Sequence, residues 1–146
     1  MKRDRRSKRI TLRIGNQIAE LRKVVEAVNK FGADHGLPMI VLSEMNVALD
    51  EILNNIITYG FVDDKHHEIV ISLCLAQDAL TAEVQDDGIA FNPIEALPPD
   101  LSGGLFERRV GGLGIHLIRS LMDNMEYDRK GGLNQLRLRR CLGRRE

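Results

Sequence analysis

At 146 residues the chain is long enough for one domain with a core of its own, and 43% hydrophobic with 29% charged residues is the balance of an ordinary globular fold. Lys and Arg together number 21, as do Asp and Glu, so a formal net charge of zero speaks against general attraction to nucleic acid or an acidic substrate. No run is apolar enough to span a bilayer, the basic start passes into TLRIGNQIAELRK rather than an apolar leader, and Cys74 and Cys141, with no CxxC spacing, read as reduced thiols of a cytoplasmic protein. Positive charge gathers at the two ends, MKRDRRSKR and RLRRCLGRRE, which read either as solvated termini or as a docking surface for an acidic partner.

In chain order, Arg9 to Ile14 alternates as a strand, and Asn16 to about Phe31 reads as a helix, with Ile18, Leu21, Val24, Val25 and Val28 at helical spacing. Gly32 to Pro38 is expected to break it. A second helix starts between Pro38 and Ser43 and runs to about Tyr59, with Gly60 to end it. Glu68–Leu75 and Leu80–Asp86 read as strands joined by a hairpin around Ala76 to Ala79. From Ile89 to about Val110 no period stands out, and so long a gap in a compact domain marks a lid or binding loop. Leu113 to about Asn124 reads as a helix, and Met125–Arg129 and Asn134–Arg140 as strands about a Gly131-Gly132 turn. The expected fold is α+β, a two-layer α/β sandwich with helices on one face of a mostly antiparallel sheet.

Three constellations carry chemistry. In the second helix Met45, Ala48, Leu49, Ile52, Leu53, Ile56 and Ile57 share a broad apolar arc. Glu51 and Asn55, four apart, stack on its margin, with Asp50 and Asn54 further towards solvent. A carboxylate and an amide oxygen so placed can hold a hydrated Mg²⁺, or the carboxylate can accept a hydroxyl proton; ordinary hydrogen bonding on a helix surface is the alternative. In VQDDGIAFNP, alternation turns Leu80, Ala82, Val84 and Asp86 inward. A buried carboxylate needs donors, and the exocyclic amine of adenine is a fitting one; Gly88 allows a flat ring or a sharp turn, and a plain Asp-Asp-Gly turn is the alternative. In RRVGGLGIHLIRSLM, glycines at 111, 112 and 114 open a helix whose free N–H groups suit phosphate, with Arg108 and Arg109 placed for a terminal phosphate; a glycine hinge is the alternative. There is no GxxxxGK[ST], and the glycines come too late for a dinucleotide-binding βαβ unit. His116 reads as a packing or lid contact, and His66 and His67 as exposed neighbours with poor metal geometry.

Taken together, Glu51-x-x-x-Asn55 on a helix, a strand ending Asp86-x-Gly88, and a long loop closing on a Gly-rich helix start resemble the Bergerat ATP-binding fold of the GHKL superfamily, which includes gyrases, heat-shock chaperones, histidine kinases and mismatch-repair ATPases. The resemblance runs from about Arg9 to Leu138. Within it, EILNNIITYGF and GGLGIHLI look most like the E-x-x-x-N-x-x-x-x-G-[YF] and Gly-rich boxes of the small anti-sigma-factor serine/threonine kinases of bacteria. The resemblance implies one histidine-kinase-like ATPase domain over residues 1–146, with a basic tail at 1–8 and an ATP lid at about 91–110. It makes Glu51 the general base, Asn55 the Mg²⁺ ligand, Asp86 the acceptor for the adenine amine with Gly88 under the ring, and Gly111, Gly112, Leu113 and Gly114 the phosphate-binding N–H groups. Ala90 stands where the superfamily often has a second glycine of Asp-x-Gly-x-Gly. Asn134, with Gln135 as the other candidate, stands where a threonine often supports adenine. The implied partners are a STAS-type anti-anti-sigma protein as substrate, a sigma factor or other sequestered target, and a second copy in a homodimer. An ATP-binding partner switch without phosphotransfer, or a detached histidine-kinase catalytic domain, are the alternatives.

Overall fold

In a computed structural model that describes residues 8–92 and 112–143, every strand pairing is antiparallel. The strands are β1 (Lys8–Gly15), β2 (Glu68–Ala76), β3 (Ala79–Asp86), β4 (Asn124–Lys130) and β5 (Leu133–Cys141), and they lie in the order β1-β2-β3-β5-β4. Period-2 burial makes the sheet two-sided. On β3 the buried residues are Leu80, Ala82, Val84 and Asp86, with Ala79 buried as well at the strand's start, and on β5 they are Asn134, Leu136, Leu138 and Arg140. The register sets Ala82 opposite Leu138, Val84 opposite Leu136 and Asp86 opposite Asn134. The apolar inner face therefore ends in an acid beside an amide. The outer face is polar: the Thr11 and Ser72 hydroxyls meet at 3.2 Å, and Arg137 bridges Glu83 at 2.8 Å and Glu126 at 2.9 Å.

The helices cover the inner face. A 3₁₀ turn (Ile18–Glu20) leads into α1 (Leu21–His35), α2 (Met39–Tyr59) follows, and α3 (Gly112–Leu121) packs on α2. The core gathers Val24, Val28 and Phe31 of α1, Met45, Leu49, Ile52 and Leu53 of α2, Ile115 and Ile118 of α3, and the inward residues of the strands. No described helix is long and apolar enough to cross a membrane.

Two expectations for the first helix change. Ile18 sits in the 3₁₀ turn and, like Val25, is exposed. Gly32 does not break the helix: α1 runs through it to His35 and stops at Gly36, whose φ of 66° lies in the left-handed region that glycine adopts without strain. Gly32 is buried against α2, and a Cβ there would collide with the Leu42 side chain. The glycine lets two helices close up, a packing gain that overrides its low helix propensity. At the far hairpin Gly131 and Gly132 both have positive φ, the pairing a two-residue turn requires.

The basic C-terminal run is also not simply solvated. Arg140 is fully buried on the inner face, and its Nε donates to Glu44 of α2 at 2.7 Å. With Arg137 held between Glu83 and Glu126, two of these arginines are paired with acids far away in sequence. Lys8 belongs to β1 rather than to a tail, and residues 1–7 and 144–146 lie outside the described part. Cys74 and Cys141 are free thiols.

Candidate functional site

Asp86 closes β3 and is only 5% exposed. Burial pushes its pKa above the usual carboxylate range, because the charged form loses water, and hydrogen bonds from Asn134 and Gly88 oppose the rise. The Gly88 N–H (2.8 Å) and the Asn134 Nδ2 (3.0 Å) both donate to Oδ1. Among the described residues no hydrogen bond to Oδ2 accompanies these, and Oδ2 is not one of the buried side-chain atoms without a partner.

Asn134 is saturated by the protein. Its Nδ2 also donates to the Ile89 carbonyl at 2.8 Å, and its Oδ1 accepts from the Tyr127 hydroxyl and from Arg129 at 2.9 Å. Expected from the resemblance to support adenine, it is hydrogen-bonded to Asp86 and to the loop that follows β3. Arg129 completes the brace by donating to the Gly88 carbonyl at 3.1 Å. Gln135, the other candidate, is exposed on the opposite face and bonds Gln85 at 2.9 Å. Tyr127 and Arg129 escape sequence reasoning, although the two-residue Gly131-Gly132 turn dictates the Arg129–Asn134 pairing and was a usable signal.

Gly88 has a steric reason to be glycine. A Cβ there would collide with the Gly60 carbonyl oxygen, which also accepts from the Ile89 N–H at 2.8 Å. The end of α2 and the start of the loop after β3 are thus pressed together. Because the obstacle is backbone, Gly88→Ala is expected to cost about 1–3 kcal/mol in urea unfolding. A variant as stable as the parent would show that the two segments are not in close contact.

Helix α2 brings up the second half of the site. Glu51 is half-buried and Asn55 buried, and the Asn55 Nδ2 approaches the Glu51 Oε2 at 3.4 Å. With its amide nitrogen turned to Glu51, Asn55 has in Oδ1 an oxygen of the kind that could ligate a hard cation. Gly114, in the first turn of α3, lies directly against the Glu51 carboxylate, where any Cβ would collide. The opening of α3 and the Glu51–Asn55 pair therefore face one another. Asn54, by contrast, turns its Nδ2 back to the Asp50 carbonyl at 2.8 Å and Asp50 is exposed, an ordinary helix-surface arrangement.

Of the remaining expected residues, Ala90 is exposed just after this loop and His116 is exposed on α3. Gly112 and Leu113 open α3. Arg108, Arg109 and Gly111, and the expected lid from residue 93 onward, lie outside the described residues. His67 differs from expectation. It is not an exposed neighbour of His66: its side chain is 15% exposed, and its Nε2 and Nδ1 meet Asp63 at 2.7 Å and Asp87 at 3.0 Å. Adjacency in sequence could not reveal this, because it depends on the α2–β2 loop folding back to the loop after β3. Among the described residues no group of three or more His, Cys, Asp or Glu is placed to hold a metal ion.

An antiparallel sheet with a buried aspartate at the end of β3, covered by a helix that carries Glu-x-x-x-Asn and is abutted by a Gly-rich helix start, is the framework of an ATP-binding domain of the histidine-kinase type. The chain belongs to the histidine kinase-like ATPase domain family, whose model matches residues 14–140. It is 32% identical over 94 residues to the serine/threonine-protein kinase BtrW of Bordetella bronchiseptica, covering 64% of this chain and 66% of that protein. It is 28% identical over 99 residues to the serine-protein kinase RsbW of Listeria monocytogenes, covering 64% of this chain and 63% of that one. An anti-sigma F factor of Oceanobacillus iheyensis is 26% identical over 85 residues, or 58% of each chain. The matched part thus spans slightly under two-thirds of the first two relatives. In fold, the chain resembles the RsbU and RsbW domains of a Mycobacterium tuberculosis protein, with a TM-score of 0.67 at 18% identity, covering 94% of this chain and 33% of that one. The histidine kinase domain of a blue-light activated kinase of Erythrobacter litoralis also matches, with a TM-score of 0.55 at 16% identity, covering 86% of this chain and 60% of that one.

Proposed function

We propose that this chain is an ATP-dependent serine/threonine kinase that phosphorylates a small STAS-type antagonist protein and sequesters a target such as a sigma factor, acting as a cytoplasmic homodimer. One observation carries the reading: a glutamate on the inner margin of α2, stacked with Asn55 and facing the start of α3. Holding a nucleotide needs Asp86 and Asn55 but no base, whereas taking a hydroxyl proton needs a carboxylate such as Glu51.

The residues present fit ATP and Mg²⁺. Asp86 offers Oδ2 to the adenine amine while Gly88 and Asn134 hold Oδ1. Asn55 offers an amide oxygen to Mg²⁺, and the N–H groups at the start of α3, with Gly111, Arg108 and Arg109, serve the phosphates. When bound, the pair supplies a phosphoryl group whose developing charge is neutralised by the cation. The protein's task is then positioning: Glu51 accepts the proton of the attacking serine or threonine hydroxyl, and α2 and α3 hold the reacting groups in line.

The test mixes the protein with labelled Mg·ATP and a purified STAS-type antagonist. Acid-stable label on a serine or threonine of the antagonist is the expected result. Acid-labile label would move the reading to phosphohistidine chemistry, and ATP binding without transfer would reduce it to a partner switch.

A further inference from the structure

Beside the nucleotide framework lies a cavity of about 290 Å³ lined by residues of the α2–β2 loop, the loop after β3, and Arg129. His67 stands in its wall. The ring stacks on Phe61, with centroids 4.4 Å apart and planes 17° from parallel. The backbone N–H of His67 donates to the Asn16 side chain at 3.1 Å, so the residue is anchored from three directions. Asp87, the carboxylate bonded to Nδ1, is the residue between Asp86 and Gly88. We propose that His67, held between Asp63 and Asp87, is a positioning residue that clasps the loop carrying Asp86 and Gly88 and makes ATP affinity depend on its protonation. The inference rests on the ATP-site reading above.

The chemistry follows from donor counting. A protonated imidazole has two N–H groups and satisfies both carboxylates, whereas the neutral ring has one and turns a lone pair on the other. A neutral ring carries one N–H and can donate to only one of Asp63 and Asp87, so deprotonation removes one of the two hydrogen bonds by which His67 ties the α2–β2 loop to the loop after β3. The charged groups facing the ring are Asp63 from its own loop and Asp87 from the loop after β3, and Arg129 of β4 lines the same cavity. The Asp63 hydrogen bond, helped by Asp87 and opposed by partial burial, raises the His67 pKa above its usual value. A raised histidine pKa stabilises the folded arrangement fully below the unfolded value, and that contribution is lost as pH rises through the folded value. Tight nucleotide binding belongs to the acidic side of this transition.

The experiment is calorimetric titration of Mg·ATP between about pH 6 and pH 9 into the wild type, His67→Gln and Asp86→Asn, paired with NMR titration of the wild-type His67 ring with and without ATP. The wild-type affinity is expected to fall about fivefold with rising pH, at the low end of ordinary site coupling. His67→Gln is expected to bind at the weaker level throughout, with no such step. Linkage makes the effect reciprocal, so ATP is expected to raise the His67 midpoint by about 0.7 pH units, the logarithm of that factor. The NMR measurement needs no variant and stands even where His67→Gln fails to fold. Wild-type binding with no step, a His67→Gln curve that keeps the step, or a midpoint unmoved by ATP overturns the clasp while leaving the ATP site intact. A wild type that binds ATP no better than Asp86→Asn at any pH overturns the ATP-site reading and the clasp with it.

Discussion

Asp86→Asn is expected to leave the protein folded and weaken ATP binding roughly 100-fold, near the upper end of what losing a hydrogen bond to a charged group costs. The substituted amide keeps one oxygen, which can still accept from Gly88 and Asn134 as Oδ1 does now. Its nitrogen takes the place of Oδ2 and confronts the adenine amine donor to donor. Stability moves the other way. Burial raises the Asp86 pKa, so the folded protein carries an ionised group it would rather hold protonated. Between the ordinary and the raised value the folded state binds the proton more tightly than the unfolded chain, and stability falls as pH rises through that window. At neutral pH the variant is therefore expected to melt at or above the wild-type temperature, and the gap closes in acid below the ordinary carboxylate range. Thermal scans across pH together with calorimetry check both halves. ATP binding retained within severalfold would remove Asp86 from the site. A large loss of stability would mean that its charge is compensated by contacts other than those described.

Glu51→Gln separates binding from chemistry. The introduced glutamine has nearly the same shape, retains an oxygen for the Asn55 Nδ2, and fits the same space against Gly114. What it cannot do is hold a proton taken from a hydroxyl. The expected outcome is phosphotransfer lowered by about 10²–10⁴, the range for loss of a general base, with ATP affinity changed by no more than about threefold. Capture of the antagonist should survive, because Glu51 is only half-exposed within the site. Single-turnover transfer from labelled ATP gives the rate. Transfer at near wild-type speed would assign the base elsewhere, and equal loss of binding and transfer would make Glu51 a nucleotide ligand rather than a base.

How much of this was legible beforehand depends on the range of the physics involved. Strand alternation turns Asp86 inward and puts Asn134 on the face of Leu136 and Leu138, because a period of two needs no knowledge of the partner strand. The i, i+4 spacing likewise stacks Glu51 and Asn55 on one edge of α2. Gly32 was opaque, since its reason for being glycine is Leu42, a residue of the next helix. His67 was opaque for the same kind of reason: its two carboxylate partners lie 4 and 20 residues away on either side of it. The burial of Arg140 follows from alternation alone, but reading a run of arginines as solvated charge hides it until Glu44 is seen across the core.

The sheet order has a consequence for the newly made chain. β5 lies between β3 and β4, and its Asn134 braces an aspartate that precedes it by 48 residues. Asp86 leaves the ribosome early, yet its setting is complete only when a strand made much later slides in beside β3 and brings the Tyr127–Arg129 brace with it. Such a non-local pairing is among the slow steps of folding, since loop closure must come before the contacts reward it. A nascent chain ending before Leu133 carries all the described helices, Glu51 and Asn55 included, but lacks the Asn134 contact to Asp86. On the proposed reading, the setting of Asp86 would be completed only late in synthesis.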